Sequence, residues 1–211
     1  MKTIDLGRLD YLTAWDVQRR VVDDVLNGHE DTLILVEHEP VLTLGANFHE
    51  GNLLLSAAEY RQKGIDVVTT DRGGDVTYHG PGQLVMYPIF DLRRHGQDLH
   101  KWMRDLEETV IVGLTSWGIN GHRFPPHTGV WVDDPPAKIA AMGVKIRKWV
   151  SQHGIALNCD NPLDEFKLIV PCGIHEHGVT SLSNQIGTNV SVEDAKQPMI
   201  KAFQTVFFAE W

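Results

Sequence analysis

Cysteine is scarce in this chain: Cys159 and Cys172 are the only two in 211 residues. That is too few for the disulfide-stapled scaffold of a small secreted protein. Long apolar runs are missing as well. None approaches the roughly 20 residues that a membrane-crossing helix needs, and Met1 to Asp10 holds neither an apolar signal segment nor an Arg-rich transit pattern. The expectation is a soluble protein of a reducing cytoplasm. Positive charge is also short, with 19 Lys and Arg against 28 Asp and Glu and a net charge of −9. A general nucleic-acid binder needs clustered basic residues, so that class is set aside. No repeat, low-complexity tract, linker or Gly-x-x-x-x-Gly-Lys-Ser/Thr phosphate loop is present. A length of 211 residues suits one compact domain, here spanning 1–211.

Apolar spacing and capping residues predict the elements. A first helix is expected after Thr13, with Asp16 as its capping partner, an apolar stripe of Trp15, Val21, Val22, Val25 and Leu26, and Gly28 as its end. Strands are expected over Thr32 to Val36, Val41 to Leu44, Ile65 to Thr69 and Gln83 to Phe90, with a short helix from Ser56 to Gly64 between the second and third. A longer helix should run from Asp98 to Trp117, burying Leu99, Trp102, Met103, Leu106, Val110 and Leu114. The stretch from Gly129 to Leu157 is rich in strand-forming residues with short connections, which suggests antiparallel pairing. A last helix should start at Ser191, capped with Asp194, and reach about Phe208. The class is α+β, a mixed and mostly antiparallel sheet with helices.

Three features carry chemistry. The run Arg72-Gly73-Gly74-Asp75-Val76-Thr77-Tyr78-His79-Gly80-Pro81-Gly82-Gln83 packs four glycines and a proline among hydrogen-bonding side chains. Its plain reading is a hairpin turn. Its functional reading is a binding loop, because glycine lets main chain approach a ligand closely. Pro171-Cys172-Gly173 follows the apolar Leu168-Ile169-Val170 and can present a thiol at a strand end, although a lone cysteine is as readily a buried small hydrophobe. Cys159 fits that second description. Lys138 heads the apolar run Ile139 to Val144, either as a solvated strand end or, if near Cys172, as a cation that favours the thiolate. His175-Glu176-His177 is the nearest approach to a metal cluster, but it lacks a third ligand at recognisable spacing, so no metal is expected.

Taken in order, these segments resemble the lipoyl(octanoyl) transferases, of the lipoate/biotin protein ligase superfamily. The resemblance rests on Arg72 to Gln83 with Tyr87, Thr128-Gly129-Val130-Trp131-Val132, Lys138-Ile139-Ala140-Ala141-Met142-Gly143, His153-Gly154-Ile155-Ala156-Leu157-Asn158, and Ile169 to Gly173 with Val179-Thr180-Ser181-Leu182. It implies a ligase-like mixed sheet and transfer of octanoyl from acyl carrier protein to a lysine of a lipoyl domain, in the E2 subunits of 2-oxoacid dehydrogenases or the glycine cleavage H protein. It also implies Cys172 as acyl-thioester nucleophile and Lys138 as the residue that lowers its pKa. Arg72, Gly73, Gly74, Asp75, Val76, Thr77, Tyr78 and His79, with Ala141, Met142, Gly143, Gly154, Ile155 and Ala156, would line the acyl site. A thioester is already activated, so neither ATP nor a metal is expected as cofactor. Rivals are an ATP-dependent ligase on the same fold, a cysteine hydrolase with His79 as base, and a non-catalytic carrier-binding module. For an acidic carrier protein the expected docking patch is Lys145 with Arg147, and next Arg93, Arg94, Lys101 and Arg104.

Overall fold

Side chains of the strand Thr32–His38 alternate between two apolar layers, Leu33 and Leu35 facing one and Ile34 and Val36 the other. A strand buried on both faces needs a cover on each, and this sets the architecture. The computed structural model describes residues 1–133, 135–170 and 177–209. Its strands are β1 (Lys2–Leu9), β2 (Thr32–His38), β3 (Val41–Leu44), β4 (Asp66–Thr69), β5 (Val76–His79), β6 (Gln83–Ile89), β7 (His122–Phe124), β8 (His127–Val132), β9 (Ala137–Arg147), β10 (Val150–Asn158) and β11 (Gly178–Val179). Its α-helices are α1 (Tyr11–Leu26), α2 (Ala57–Gln62), α3 (Leu99–Leu114), α4 (Leu182–Ile186) and α5 (Val192–Phe208). The large sheet runs β1-β2-β6-β10-β9-β8-β7, with β11 added beside β9. It is antiparallel except where β1 meets β2 and β11 meets β9, so the expected mixed sheet is found.

Helix α1 covers one face through Ala14, Val21, Val22 and Val25, packed on Ile34, Val36, Val85, Tyr87 and Ile89. Helices α3 and α5 cover the other, with Trp102, Leu106, Val110, Met199 and Phe203 over Leu33, Leu35, Leu84 and Met86. A smaller sheet, β4-β3-β5, stands beside the large one with its own apolar cluster around Leu42, Tyr60, Val76 and Tyr78. Among the described residues no helix is long and apolar enough to cross a membrane.

The capping pairs Ser56 with Glu59 and Ser191 with Asp194 both close as reciprocal boxes. Several expectations need correction. Helix α1 begins at Tyr11, because Asp10 rather than Thr13 caps it, its carboxylate accepting from the Thr13 N–H at 2.9 Å. That earlier start puts Tyr11 on the buried face. Leu99 is the first residue of α3 and is 47% exposed, since burial of that stripe starts only with Trp102. Strand β1 was not anticipated, because most of its side chains stay exposed or half-buried and leave no apolar alternation to read. Strand β5 lies hidden inside the Gly-rich run, paired antiparallel with β3.

Arg147 and Val150 are cross-strand partners, so β9 turns into β10 through two residues, Lys148 and Trp149. Both have positive φ, +49° and +68°, the pattern of a type I′ turn without the Asn-Gly that usually builds one. Trp149, expected in the strand, is therefore a turn residue. Lys148 is exposed, so Lys148→Gly should stabilise the protein by about 0.5–1 kcal/mol, the relief of a left-handed conformation less the cost of a freer unfolded chain. The urea unfolding midpoint measures this.

Candidate active site

The loop between β4 and β5 is held by its own arginine. Arg72 is buried, and its guanidinium donates to Thr43 Oγ1 at 3.0 Å, to the carbonyls of Thr43 and Asp75 at 2.5 and 2.7 Å, and to that of Gly73 at 2.9 Å. The loop then docks on the large sheet, where the Gly73 N–H donates to the Val144 carbonyl at 2.9 Å. Contact this close needs glycine opposite: a Cβ at Gly143 would sit 2.7 Å from the Gly73 carbonyl oxygen. Gly154 is equally constrained, with the Met86 carbonyl oxygen 2.3 Å from where its Cβ would be.

Between loop, sheet and the start of α1 lies a narrow cleft, whose empty space counted out to its open mouth is about 490 Å³. Arg72, Gly74, Thr77, His79, Ala141, Met142, Gly143, Gly154, Ile155 and Ala156, all singled out in the sequence, line it together. Alternation along β5 turns Val76 and Tyr78 the other way, into the cluster with Phe166. Asp75 is buried behind the loop, where it accepts from the N–H groups of His49 and Val76 and from the Asn52 amide, and Gly73 is spent on Val144. Neither residue lines the cleft. Tyr11, Val85, Tyr87 and His153 complete its wall. Tyr87 and His153 stood within the quoted motifs, but Tyr11 becomes visible only once Asp10 is known to be the cap.

Three buried histidines set the polarity of this region. His153 Nε2 lies 2.7 Å from the Asp71 carboxylate, which can only accept, so Nε2 carries the proton and Nδ1 faces the Tyr11 hydroxyl at 3.4 Å. Burial lowers the His153 pKa despite Asp71 beside it. The bond from His153, with Lys145 adding its own, holds the Asp71 carboxyl well below the usual carboxylate range. His38 donates from Nδ1 to the Leu9 carbonyl at 3.1 Å and accepts the Tyr87 hydroxyl on Nε2 at 2.7 Å. His79 donates from Nδ1 to Gln83 Oε1 at 2.7 Å. Gln83 donates onward to Asn158 Oδ1 at 2.9 Å, and Asn158 to the Thr180 carbonyl at 2.9 Å. The Thr180 N–H in turn reaches the Lys138 carbonyl at 3.0 Å. A hydrogen-bonded chain thus ties the cleft wall to the strand that carries Lys138.

Lys138 is half-buried as the second residue of β9, beside Trp131 of β8 and Val179 of β11. Cys172, with Pro171 and Gly173, lies outside the described residues, as do His175 and Glu176. Cys159 is fully buried under the sheet, where burial pushes its thiol up to about 12. The expected docking patch is charge-balanced, Lys145 pairing with Asp71 and Arg147 with Asp23. Arg93, Arg94, Lys101 and Arg104 are likewise matched by Asp91, Asp31, Asp105 and Glu107.

Burial takes the imidazole of His79 down to about 3 and that of His38 down to about 4. Both are neutral when folded, whereas the unfolded chain protonates them near 6.5. Below that pH the unfolded state binds more protons, so stability should fall as pH drops from about 6.5, by up to about 1.4 kcal/mol per pH unit for each ring until its folded value is passed. Urea midpoints at pH 7.5, 6.0 and 5.0 should show this loss, starting above the carboxylate range, and His38→Gln should flatten the slope.

Comparison with known proteins gives the family and the fold. The family model of the lipoyl protein ligase A/B catalytic domain matches residues 10–204. An octanoyltransferase of Roseiflexus sp. (strain RS-1) is 46% identical over 207 residues, covering 97% of this chain and 86% of that protein. One of Chloroflexus aggregans (strain MD-66 / DSM 9485) is 46% identical over 204 residues, covering 96% and 92%. In fold, lipoate-protein ligase A bound with ATP superposes with a TM-score of 0.79 at 16% identity, covering 97% of this chain and 84% of that one. The biotin protein ligase of Aquifex aeolicus in complex with biotin and ATP gives 0.60 at 14%, covering 98% and 70%. The chain belongs to the lipoyl protein ligase A/B catalytic-domain family, and these two sequence relatives in it, each 46% identical, bear the name octanoyltransferase.

Proposed function

We propose that this protein moves an octanoyl group from the thioester of octanoyl-acyl carrier protein to a lysine of a lipoyl domain, through an acyl thioester on Cys172, with Lys138 carrying the proton. The observation that carries the reading is the meeting of three separate motifs, Arg72 to His79, Ala141 to Gly143 and Gly154 to Ala156, on one largely apolar cleft. The name shared by the sequence relatives supports octanoyl as the group that fills it. About seven carbons beyond the carbonyl, at about 0.8 kcal/mol per buried methylene, would contribute on the order of 5 kcal/mol to holding the donor.

The resemblance to the lipoyl(octanoyl) transferases points to Cys172 as the thiol, and the burial of the other cysteine supports that reading. Of the two cysteines, Cys159 has 0% exposure, a pKa raised to about 12 and its Sγ against the Leu157 carbonyl at 3.6 Å, so it is poorly suited to be a nucleophile. In the first step the Cys172 thiolate attacks the octanoyl carbonyl carbon. The bond to the phosphopantetheine sulfur breaks, and the departing thiolate takes a proton from the Lys138 ammonium. In the second, the amine of the acceptor lysine attacks the acyl-cysteine, an amide forms as the sulfur leaves, and neutral Lys138 removes the surplus proton from nitrogen. The electrons balance without ATP or a metal, since the donor thioester is itself the activated species.

Intact mass measurement after mixing with octanoyl-acyl carrier protein, in the absence of ATP, tests the reading. A gain of one octanoyl group mapping to Cys172, then lost to a lipoyl-domain lysine rather than to water, is the expected result; an adduct that forms only with ATP would overturn it. Cys172→Ala should abolish adduct and transfer, whereas Cys159→Ala should keep both and cost stability. Lys138→Ala should slow transfer and move the pH midpoint of Cys172 alkylation upward. Hexanoyl and decanoyl donors should react more slowly than octanoyl without being refused, because one methylene in an apolar slot discriminates by only about 1–3 kcal/mol.

A further inference from the structure

Lys138 is not merely placed by its strand. Its stem passes Gly129, where an added Cβ would stand 3.3 Å from the lysine Cε, and its ammonium lies over the ring of Trp131, 4.9 Å from the centroid. Trp131 is 1% exposed and is itself packed by Phe124, His127 and His177 at centroid distances of 5.1, 5.8 and 5.5 Å. We propose that Trp131 is a positioning residue for the reaction: its ring face holds the Lys138 ammonium in place and in its charged form. A ring face attracts a cation through its quadrupole and does nothing for the neutral amine. The contact therefore favours the proton donor needed while the phosphopantetheine thiol departs, and it releases the lysine as that proton leaves. This inference rests on the proton-carrying role of Lys138 given above, and its test separates the two.

Fluorine withdraws electron density from the indole face at almost constant volume, so mono-, di- and trifluorotryptophan grade the contact without emptying the site. Each can be incorporated into the full chain and into a Trp131→Phe variant, which serves as the background because it keeps the five other tryptophans. Competitive acetylation of Lys138 against pH, read by peptide mass, reports the state of the ammonium whether or not the protein is turning over. The titratable neighbours, His127 and His177 against the ring, His122 and Asp133 beyond it and Glu107 at Gly129, are the same in every sample. The midpoint for Lys138 should fall stepwise with fluorination in the native background, by about 0.5 to 1 pH unit over the series, and stay flat in Trp131→Phe. Octanoyl transfer from the carrier protein should decline in step. A midpoint that ignores fluorination in the native background overturns the inference. If the midpoint moves while transfer does not, the ring holds the ammonium as stated and the proton-carrying role of Lys138 is what fails.

Discussion

One buried guanidinium joins the two sheets of this protein. Arg72 takes hold of β3 through Thr43 and of its own loop through Gly73 and Asp75, while the same loop hydrogen-bonds to β9 at Val144. The cleft exists because that bridge spans the gap between the small sheet and the large one. A charged side chain so deeply buried would be costly if its donors were not met. Here backbone carbonyls and a hydroxyl meet them, which makes Arg72 a strut of the site.

Much of this was legible in the sequence, where the physics was local. Both capping boxes, the glycines just beyond α1 and α2, and the run of antiparallel strands from β8 to β10 follow from neighbours within a few residues of one another, whereas α3 stops at Leu114 and its last expected turn, up to Gly118, is a 3-10 turn. What stayed hidden depends on distant partners. Val76 to His79 reads as part of a glycine-rich turn until β3 is set beside it, and only then do Thr77 and His79 separate from Val76 and Tyr78. The Lys148-Trp149 turn carries none of the usual residues, since its conformation is imposed by the two strands it joins. Tyr11 enters the cleft wall because of where a helix starts, a matter of one cap. The position of Lys145 and Arg147 on one strand could be read, but their acidic partners Asp71 and Asp23 come from far along the chain.

The electrostatic character of the cleft follows from burial more than from composition. Eleven histidines in a chain of net charge −9 suggest a surface that changes charge near neutrality. Yet the three that surround this site, His38, His79 and His153, are buried and held neutral, each with its proton fixed by an acceptor that leaves the other ring nitrogen defined. The ring planes and the amide chain through Gln83 and Asn158 therefore form a rigid polar frame around an apolar slot.

The close approaches at Gly143 and Gly154 divide the cleft into parts with unequal freedom to change over generations. At these two positions the obstacle is main chain, the carbonyls of Gly73 and Met86, so even one methyl group has no room and no side-chain rotation can make any. Val85, Ala156 and Ala141 stand side by side on the cleft face of β6, β10 and β9, and exchanging one of them for a larger or smaller apolar residue alters the depth of the slot while leaving the bridge intact. A lineage, or a protein engineer, can thus retune the length of acyl chain accommodated by drifting through those three positions, while the frame around them is inherited unaltered.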